Sequence, residues 1–230
     1  MATAWIAVTG PKPSKYQLND TPCYIKKQRS VDNLIKHNKM KRVFIIHGWT
    51  GKPNEHWLPW LAEELRQKGF EVYSPEMPET DNPKIDSWVP YLKEQVGIAD
   101  KNTYFVGHSI GCLTILRYLE KYNENIGGVV LVAPWVTLNS ESFVTSEDKE
   151  VVDSWTAGSF NWQKLKSLCP NFVALFSKDD PDVPFDDNKP IFEKELGAKI
   201  IIEDNKGHFT SEKGVNELPE VLEELLRMTK

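Results

Sequence analysis

Apolar residues follow two different periods along the chain, and the two kinds of segment alternate from Lys41 onward. Six short runs are rich in β-branched and aromatic residues, as the buried strands of parallel sheets are. These runs are Arg42 to His47, Glu71 to Ser74, Thr103 to Val106, Gly128 to Ala133, Phe172 to Ser177 and Lys199 to Glu203. Their alternation with helical segments predicts βα units around a parallel sheet.

Between these runs the apolar positions have the 3.6-residue period of helices. The helical segments are Trp57 to Lys68, Asp86 to Val96, Cys112 to Tyr122 and Asn216 to Met228. The first places Leu58, Leu61 and Leu65 on one face and is followed by Gly69, a residue that commonly ends a helix. With right-handed crossovers, the pattern predicts an α/β fold, a three-layer αβα sandwich around a six-stranded, mainly parallel sheet. Sites in such sheets lie at the C-terminal ends of the strands.

Two parts of the chain depart from this alternation. Residues 1–40 combine prolines with polar clusters and are interpreted as an N-terminal tail, or as an added edge element built on Trp5 to Val8. Residues 41–230 are predicted to form one domain. Within it, residues 135–170 lack a strong strand and predict a small lid-like excursion over the site. Its aromatic residues are Trp135, Phe143, Trp155, Phe160 and Trp162.

The composition is that of an ordinary globular protein. The chain has 230 residues, of which 40% are hydrophobic and 27% charged, and a domain of this size buries roughly 70% of its unfolded surface. No apolar run has the length of a membrane span, and Met1 to Val8 lacks the features of a signal peptide, so we expect a cytoplasmic protein. Cys23, Cys112 and Cys169 are too few and too widely spaced for a disulfide framework or a zinc cluster. We expect no metal and no cofactor.

Charge is unevenly distributed. Residues 1–40 contain seven Lys/Arg but only Asp20 and Asp32 as acids, whereas the other 190 residues carry a net charge of −10. A basic tail can contact nucleic acid or acidic lipid. Here the lysines are scattered and no nucleic-acid motif accompanies them, so a solvated tail is the preferred interpretation. Recruitment of a protein partner through the tail stays open, without support from the residues.

The segment Gly107-His108-Ser109-Ile110-Gly111 has the pattern of a nucleophile elbow, because it lies between a predicted strand and a predicted helix. A serine hydroxyl is a weak nucleophile, so it must be held out of the sheet beside a base and oxyanion donors. Gly107 and Gly111 leave room for the tight turn that this requires. Ser109 is therefore the candidate nucleophile.

A serine nucleophile needs a general base, and histidine has a suitable pKa. The chain has His37, His47, His56, His108 and His208. In the order serine, acid, histidine, only His208 can serve, since it alone follows Ser109. It lies in a short loop after the last predicted strand. For His47 and His108 we expect structural roles.

The base must be oriented by a buried acid. Asp179, Asp180 and Asp182 directly follow the strand Phe172 to Ser177. Asp180 is the preferred candidate, because Pro181 fixes the backbone just after it. Asp179 and Asp182 are then interpreted as solvated loop charges.

An oxyanion hole needs two backbone N–H groups that point to one place. We assign the N–H of Ile110, at the start of the elbow helix, and the N–H of Trp49, in the turn after the first strand. Aromatic residues gather at the same edge of the sheet. Trp49, His56 and Trp135 are assigned to the substrate pocket.

Residues 41–228 resemble the small YdeN-type serine hydrolases, the family that also contains retinoblastoma-binding protein nine. The matching stretches are Ile45 to Gly48, Asn54 to Leu61, Met77-Pro78, Gly107 to Gly111, Ser177 to Asp180 and Gly207 to Phe209. The resemblance implies a triad of Ser109, Asp180 and His208 in a compact α/β-hydrolase with little cap, and natural substrates that are mostly unassigned. Family members tend to begin near Met40, so the first 40 residues depart from the pattern. No L-x-C-x-E stretch is present, so the pocket-protein binding suggested by one family name is not expected.

Together, these features predict a hydrolase of small esters that works through an acyl-enzyme on Ser109, with amides or thioesters as open alternatives. Its expected partner is a small ester-like molecule, not nucleic acid. The competing hypothesis is a binding or regulatory protein that keeps the scaffold with a weak or idle triad, since a fold alone does not determine function.

Overall fold

The computed structural model describes residues 40–142 and 145–230. They contain β1 (Arg42–Ile46), β2 (Glu71–Tyr73), β3 (Thr103–His108), β4 (Gly128–Val132), β5 (Phe172–Ser177) and β6 (Lys199–Glu203). These strands form one sheet in the order β2-β1-β3-β4-β5-β6, and every pair is parallel. The prediction of a six-stranded sheet is confirmed.

Seven α-helices connect or flank these strands within the described ranges. They are α1 (Leu58–Gln67), α2 (Ile85–Val96), α3 (Ile110–Tyr122), α4 (Ser146–Thr156), α5 (Trp162–Leu168), α6 (Phe185–Lys194) and α7 (Pro219–Met228). Helix α1 packs against α7, whereas α3 packs against α2 and α5. Right-handed crossovers place these two groups on opposite faces of the sheet. The result is the expected three-layer sandwich.

The direction of winding reverses between β1 and β3. The chain passes from β1 outward to β2, then returns through α2 to the other side of β1 and continues from β3 to β6. In the pairing of β1 with β3, Arg42 lies beside Thr103 at one end and Ile46 lies beside Gly107 at the other. The turns that leave β1 and β3 therefore lie side by side, at the switch point where such sheets place ligand sites.

The core is built from strands that are buried on both faces. Strands β3, β4 and β5 are buried along their whole length, and their apolar runs lie between the two helix layers. At the sheet edges, by contrast, Tyr73 on β2 and Ile202 on β6 are exposed. The burial of β3, β4 and β5 on both faces agrees with the continuous apolar pattern of these inner strands.

Residues 135–170 contain two helices that the apolar period did not predict. Helix α4 begins with a capping box, in which Asp148 N–H donates to Thr145 Oγ1 over 3.1 Å and Thr145 N–H donates to Asp148 Oδ2 over 3.0 Å. Helix α5 packs against α3 and so belongs to the helix layer. The predicted excursion therefore contributes α5 to a helix layer of the sandwich. Phe143 lies outside the described residues.

Arg117 on α3 anchors the end of α4. Its guanidinium lies 3.9 Å from the ring centre of Phe160 and donates to the carbonyl oxygens of Trp155, Ala157 and Gly158. These contacts hold the excursion against the sandwich.

Helix α6 is a further element missing from the sequence prediction. It begins after Pro184 and contains Pro190, and no element was predicted for these residues from the sequence. Inside the fold it packs against β5 and β6. Tertiary packing thus overrides a weak local preference.

The predicted N-terminal tail lies outside the described residues, apart from Met40. Lys39–Lys230 forms one compact unit. No helix in residues 40–142 or 145–230 has both the length and the apolar character needed to cross a membrane.

Candidate active site

Ser109 stands alone between β3 and α3, in a strained turn. Its φ of 55° and ψ of −122° are rare for a residue with a side chain. A β-carbon on Gly107 would lie 2.7 Å from Cys112 N, and one on Gly111 would collide with the carbonyl oxygen of Ile46. Both glycines are therefore required by close backbone approach. The predicted elbow geometry is present.

Asp180 and His208, the predicted acid and base, meet at the ends of β5 and β6. His208 Nδ1 lies 2.9 Å from Asp180 Oδ2 and 3.1 Å from Oδ1. Asp180 Oδ1 also accepts hydrogen bonds from the amides of Asp182 and Val183, and the side chain is only 2% exposed. Nδ1 therefore carries the proton, which leaves Nε2 free to accept one.

Ser109 and His208 line one cleft. Within the described residues, the Ser109 hydroxyl forms no direct hydrogen bond to the His208 ring. Catalytic hydrogen bonds are often long without substrate and shorten in the reactive complex. The shared cleft is thus the observation that relates Ser109 to His208.

The turn after β1 lies directly against the elbow. A β-carbon on Gly48 would be 3.3 Å from Ser109 Cβ. On the other side of Ser109, Ile110 is the first residue of α3, where backbone N–H groups lack acceptors in the helix. The two predicted oxyanion donors, the amides of Trp49 and Ile110, thus belong to segments that adjoin Ser109, and an oxyanion hole needs two such amides that point to one place.

His47 holds this turn in place. Its Nε2 accepts from the Met77 amide over 3.0 Å, so Nδ1 carries the proton and donates to the Gly48 carbonyl over 2.9 Å. Burial lowers the pKa of His47, which favours the neutral ring that these two bonds need.

His108 and His56 brace the loop that carries His208. His108 Nε2 donates to the backbone carbonyl of His208 over 2.9 Å, and burial lowers the pKa of His108 well below its ordinary value. His56 Nδ1 accepts from the Ser211 amide over 3.0 Å. Burial also lowers the pKa of His56. Both rings thus connect separate loops around the candidate site.

The cleft has a volume of about 580 Å³, within the usual range for small-molecule sites. Trp49, His56 and Trp135, the residues assigned to the pocket, all line it. Trp135 is almost fully buried, whereas Trp49 is half-buried and donates from Nε1 to the Asp81 carbonyl over 3.1 Å.

Carboxylates dominate the charged groups that line the cleft. The charged lining residues are Glu55, Asp81, Asp148, Asp182 and Glu212 on the acidic side and Lys52 on the basic side. Like charges repel across a partly desolvated cleft, so this lining disfavours anionic ligands.

Asp180, Asp182 and His208 form a candidate cation site, because one possible ligand atom from each side chain lies within 4.8 Å of the other two. However, Asp180 is engaged by two backbone amides and by His208 Nδ1. A cation would have to displace the imidazole from the carboxylate. The contacts thus favour an acid–base pair over a metal centre.

One interpretation from the sequence needs correction. Asp179 is exposed, as expected of a solvated loop charge, but its Oδ1 accepts from Ser177 Oγ over 2.6 Å and from the Gly207 amide over 3.1 Å. The pKa of Asp179 is lowered, mainly because its carboxylate accepts the hydrogen bond from Ser177. Because Asp179 and Gly207 lie on different loops, no local pattern indicated this contact. Asp182 has the expected partial exposure, with Oδ2 3.9 Å from His208 Nδ1.

The serine hydrolase family model matches residues 43–227. The chain belongs to the serine hydrolase family. The protein YdeN of Bacillus subtilis (strain 168) is 33% identical over 187 residues, covering 80% of this chain and 94% of YdeN. The serine hydrolase RBBP9 of Rattus norvegicus is 25% identical over 164 residues, covering 71% of this chain and 78% of RBBP9. The predicted family resemblance is confirmed.

Solved structures of α/β-hydrolases show the same fold. The crystal structure of the B. subtilis ydeN gene product has a TM-score of 0.74 and 31% identity, covering 83% of this chain and 99% of that one. The B. subtilis carboxylesterase CesB has a TM-score of 0.56 and 14% identity, covering 83% of this chain and 84% of CesB. For CesB the likeness concerns the fold alone. A serine hydrolase fold thus surrounds Ser109, Asp180 and His208.

Proposed function

We propose that this serine hydrolase cleaves small esters through an acyl-enzyme on Ser109. The observation that carries the proposal is the buried Asp180–His208 pair, which lines one cleft together with a strained elbow serine. A strained backbone, a buried carboxylate and an oriented imidazole in one place are costly to maintain without catalysis. This favours an active enzyme over a binding protein with an idle triad.

In the first half of the reaction, Ser109 Oγ attacks the ester carbonyl carbon while His208 Nε2 takes the hydroxyl proton. The carbonyl oxygen becomes an oxyanion, which the amides of Trp49 and Ile110 stabilise. The Asp180 carboxylate stabilises the imidazolium formed on His208. Collapse of the intermediate breaks the bond to the alcohol oxygen, which receives the proton from His208.

In the second half, a water molecule replaces the alcohol. His208 removes one water proton as the oxygen attacks the acyl carbon, and the second tetrahedral intermediate collapses. The bond to Ser109 Oγ breaks, and His208 returns the proton to the serine. The products are a carboxylic acid and the original enzyme.

The cleft supports a small, neutral or cationic ester as substrate. Aromatic walls at Trp49 and Trp135 supply apolar contact, while the acidic lining disfavours anions. The carboxylesterase CesB has the same fold, which is compatible with ester chemistry. Amides and thioesters react through the same acyl-enzyme and are the alternative substrates.

The test is labelling with a fluorophosphonate probe, which requires an activated serine, combined with hydrolysis of nitrophenyl esters. Ser109→Ala should abolish labelling and lower kcat by about 10⁶-fold, as for other triad serines. Ser142→Ala is the matched control, because Ser142 lines the same cleft and should keep full labelling. Unchanged labelling of Ser109→Ala would rule out the proposed nucleophile, and absence of labelling and hydrolysis in the wild type would support the binding protein.

A further inference from the structure

The loop that carries His208 has an unusual backbone. Asn205, Gly207 and Phe209 have φ values of 59°, 50° and 55°, so left-handed residues stand on both sides of His208. Asparagine and glycine tolerate this region, but a bulky residue such as phenylalanine rarely adopts it. Such a conformation persists only where surrounding contacts hold it.

Side chains at the end of β5 provide those contacts. The pairing of β5 with β6 ends at Ser177 and Glu203, followed by a bond from Lys178 N–H to the Glu203 carbonyl over 3.1 Å. Beyond that point, Lys206 N–H donates to Ser177 Oγ over 3.1 Å. Gly207 N–H donates to Asp179 Oδ1 over 3.1 Å. Two successive amides before His208 are thus held by side chains rather than by the sheet.

The two acceptors are themselves joined. Ser177 Oγ donates to Asp179 Oδ1 over 2.6 Å and accepts from the Lys206 amide, so the serine hydroxyl links that amide to the carboxylate. On the other side of the loop, His108 donates to the His208 carbonyl and Phe209 is fully buried. The imidazole is therefore placed by backbone contacts on both sides as well as by Asp180.

We propose that Asp179 is a positioning residue that, together with Ser177, clamps the His208 loop so that the imidazole stays on the Asp180 carboxylate. This inference rests on the proposed function, in which His208 is the base. Asp179 acts only through Gly207 and Ser177. A hydrogen bond to a charged acceptor is stronger than one to a neutral acceptor, which suits a clamp on a strained loop.

The contact geometry suggests an informative pair of variants. Both hydrogen bonds end on one oxygen, Asp179 Oδ1, so an asparagine can offer its amide oxygen to the same donors. Asp179→Asn should therefore keep most of the clamp, whereas Asp179→Ala removes it. Asp204→Ala is the matched control, because Asp204 lies near the same loop and its exposed carboxylate pairs with Lys178 at 3.0 Å.

The experiment compares these variants by kcat and KM for a nitrophenyl ester, by the rate of fluorophosphonate labelling and by thermal unfolding. We expect Asp179→Ala to lower kcat and the labelling rate by up to about 100-fold with little change in KM, since displacing a catalytic group by about 1 Å has effects of that size. Asp179→Asn should recover most of the rate, and Asp204→Ala should match the wild type. A residue that only stabilises the fold would lower the melting temperature and leave kcat of the folded enzyme unchanged.

Amide hydrogen exchange of Lys206 and Gly207 tests the clamp without relying on catalysis. Both amides should be protected in the wild type and in Asp179→Asn, and should exchange faster in Asp179→Ala. Equal protection in all three proteins, or equal kcat for Asp179→Ala and Asp204→Ala, would overturn the inference. If the wild type neither labels nor hydrolyses esters, the proposed function fails, while the exchange data still decide whether Asp179 holds the loop.

Discussion

Asp180→Asn probes the orientation of the base with a change of one atom. Asp180 Oδ1 accepts from the amides of Asp182 and Val183, so an asparagine must turn its carbonyl oxygen toward these donors. Its NH₂ group then occupies the place of Oδ2, which lies 2.9 Å from His208 Nδ1. An amide donor there requires Nδ1 to accept, which moves the ring proton to Nε2. In that tautomer His208 cannot take the proton of Ser109.

The expected loss follows from the role of that tautomer. The same substitution in serine proteases lowers kcat about 10⁴-fold, which corresponds to about 5 kcal/mol in activation free energy. The measurement is kcat for a nitrophenyl ester at pH 7, with thermal unfolding to verify the fold.

Asp182→Asn is the control for this prediction. Its carboxylate lies 3.9 Å from His208 Nδ1 but is 39% exposed, so solvent weakens the interaction. Two unit charges at this distance in water interact by about 1 kcal/mol, which limits the expected loss to about 5-fold. Equal losses for the two variants would refute the assignment of Asp180 as the orienting acid.

Three further predictions concern substrate size, substrate charge and pH. Esters of short acyl groups should be preferred, because the aromatic walls limit the length of the acyl group that fits. Trp135→Ala should shift the optimum of kcat/KM toward longer chains in a series from acetate to palmitate esters. A wild-type optimum at palmitate would contradict this expectation. Because the cleft is acidic, the cationic ester butyrylcholine should have a kcat/KM about 5-fold above that of its neutral analogue, 3,3-dimethylbutyl butyrate, at low salt. The double variant Asp81→Asn, Glu212→Gln should reduce this ratio of kcat/KM values. Equal kcat/KM for the two esters in the wild type would exclude selection by charge. Burial lowers the pKa of His108 in the folded protein below its ordinary value of 6.5. Below pH 6.5 the unfolded chain therefore binds a proton that the folded chain does not. The stability associated with the neutral His108 is full above pH 6.5, and the free energy of unfolding falls by up to about 1.4 kcal/mol per pH unit as the pH decreases below 6.5. Urea unfolding at pH 7.5, 6.5 and 5.5 should show a smaller fall for His108→Asn than for the wild type, and identical slopes would contradict a neutral His108.

Local signals explain why much of the fold could be predicted from the sequence. The bounds of β5 and β6 match the apolar runs because those runs are short and end at polar residues. The elbow was recognisable because five consecutive residues encode it. Strand β3 extends to His108 and α3 begins at Ile110, so the turn contains only Ser109 and is tighter than the apolar pattern suggested.

Contacts between distant loops could not be predicted in the same way. The Asp179–Gly207 and His108–His208 contacts join residues 28 and 100 positions apart, and hydrogen-bonding residues leave no periodic trace. Helix α4 was missed for a different reason. Its capping box at Thr145 and Asp148 is a readable local signal, but the apolar period of the helix is weak.

The position of His208 after the last strand of the sheet links catalysis to the order in which the chain is synthesised. The elbow on β3 emerges from the ribosome well before β6. A nascent chain that has added its strands only as far as β5 contains Ser109 and Asp180, the proposed nucleophile and acid, but not His208, the proposed base. Under the proposed mechanism, hydrolysis can begin only after the edge strand has docked and its following loop has closed against β5. Recovery of activity during refolding would thus report the final step of sheet assembly, and it should lag behind burial of the tryptophans in the central core.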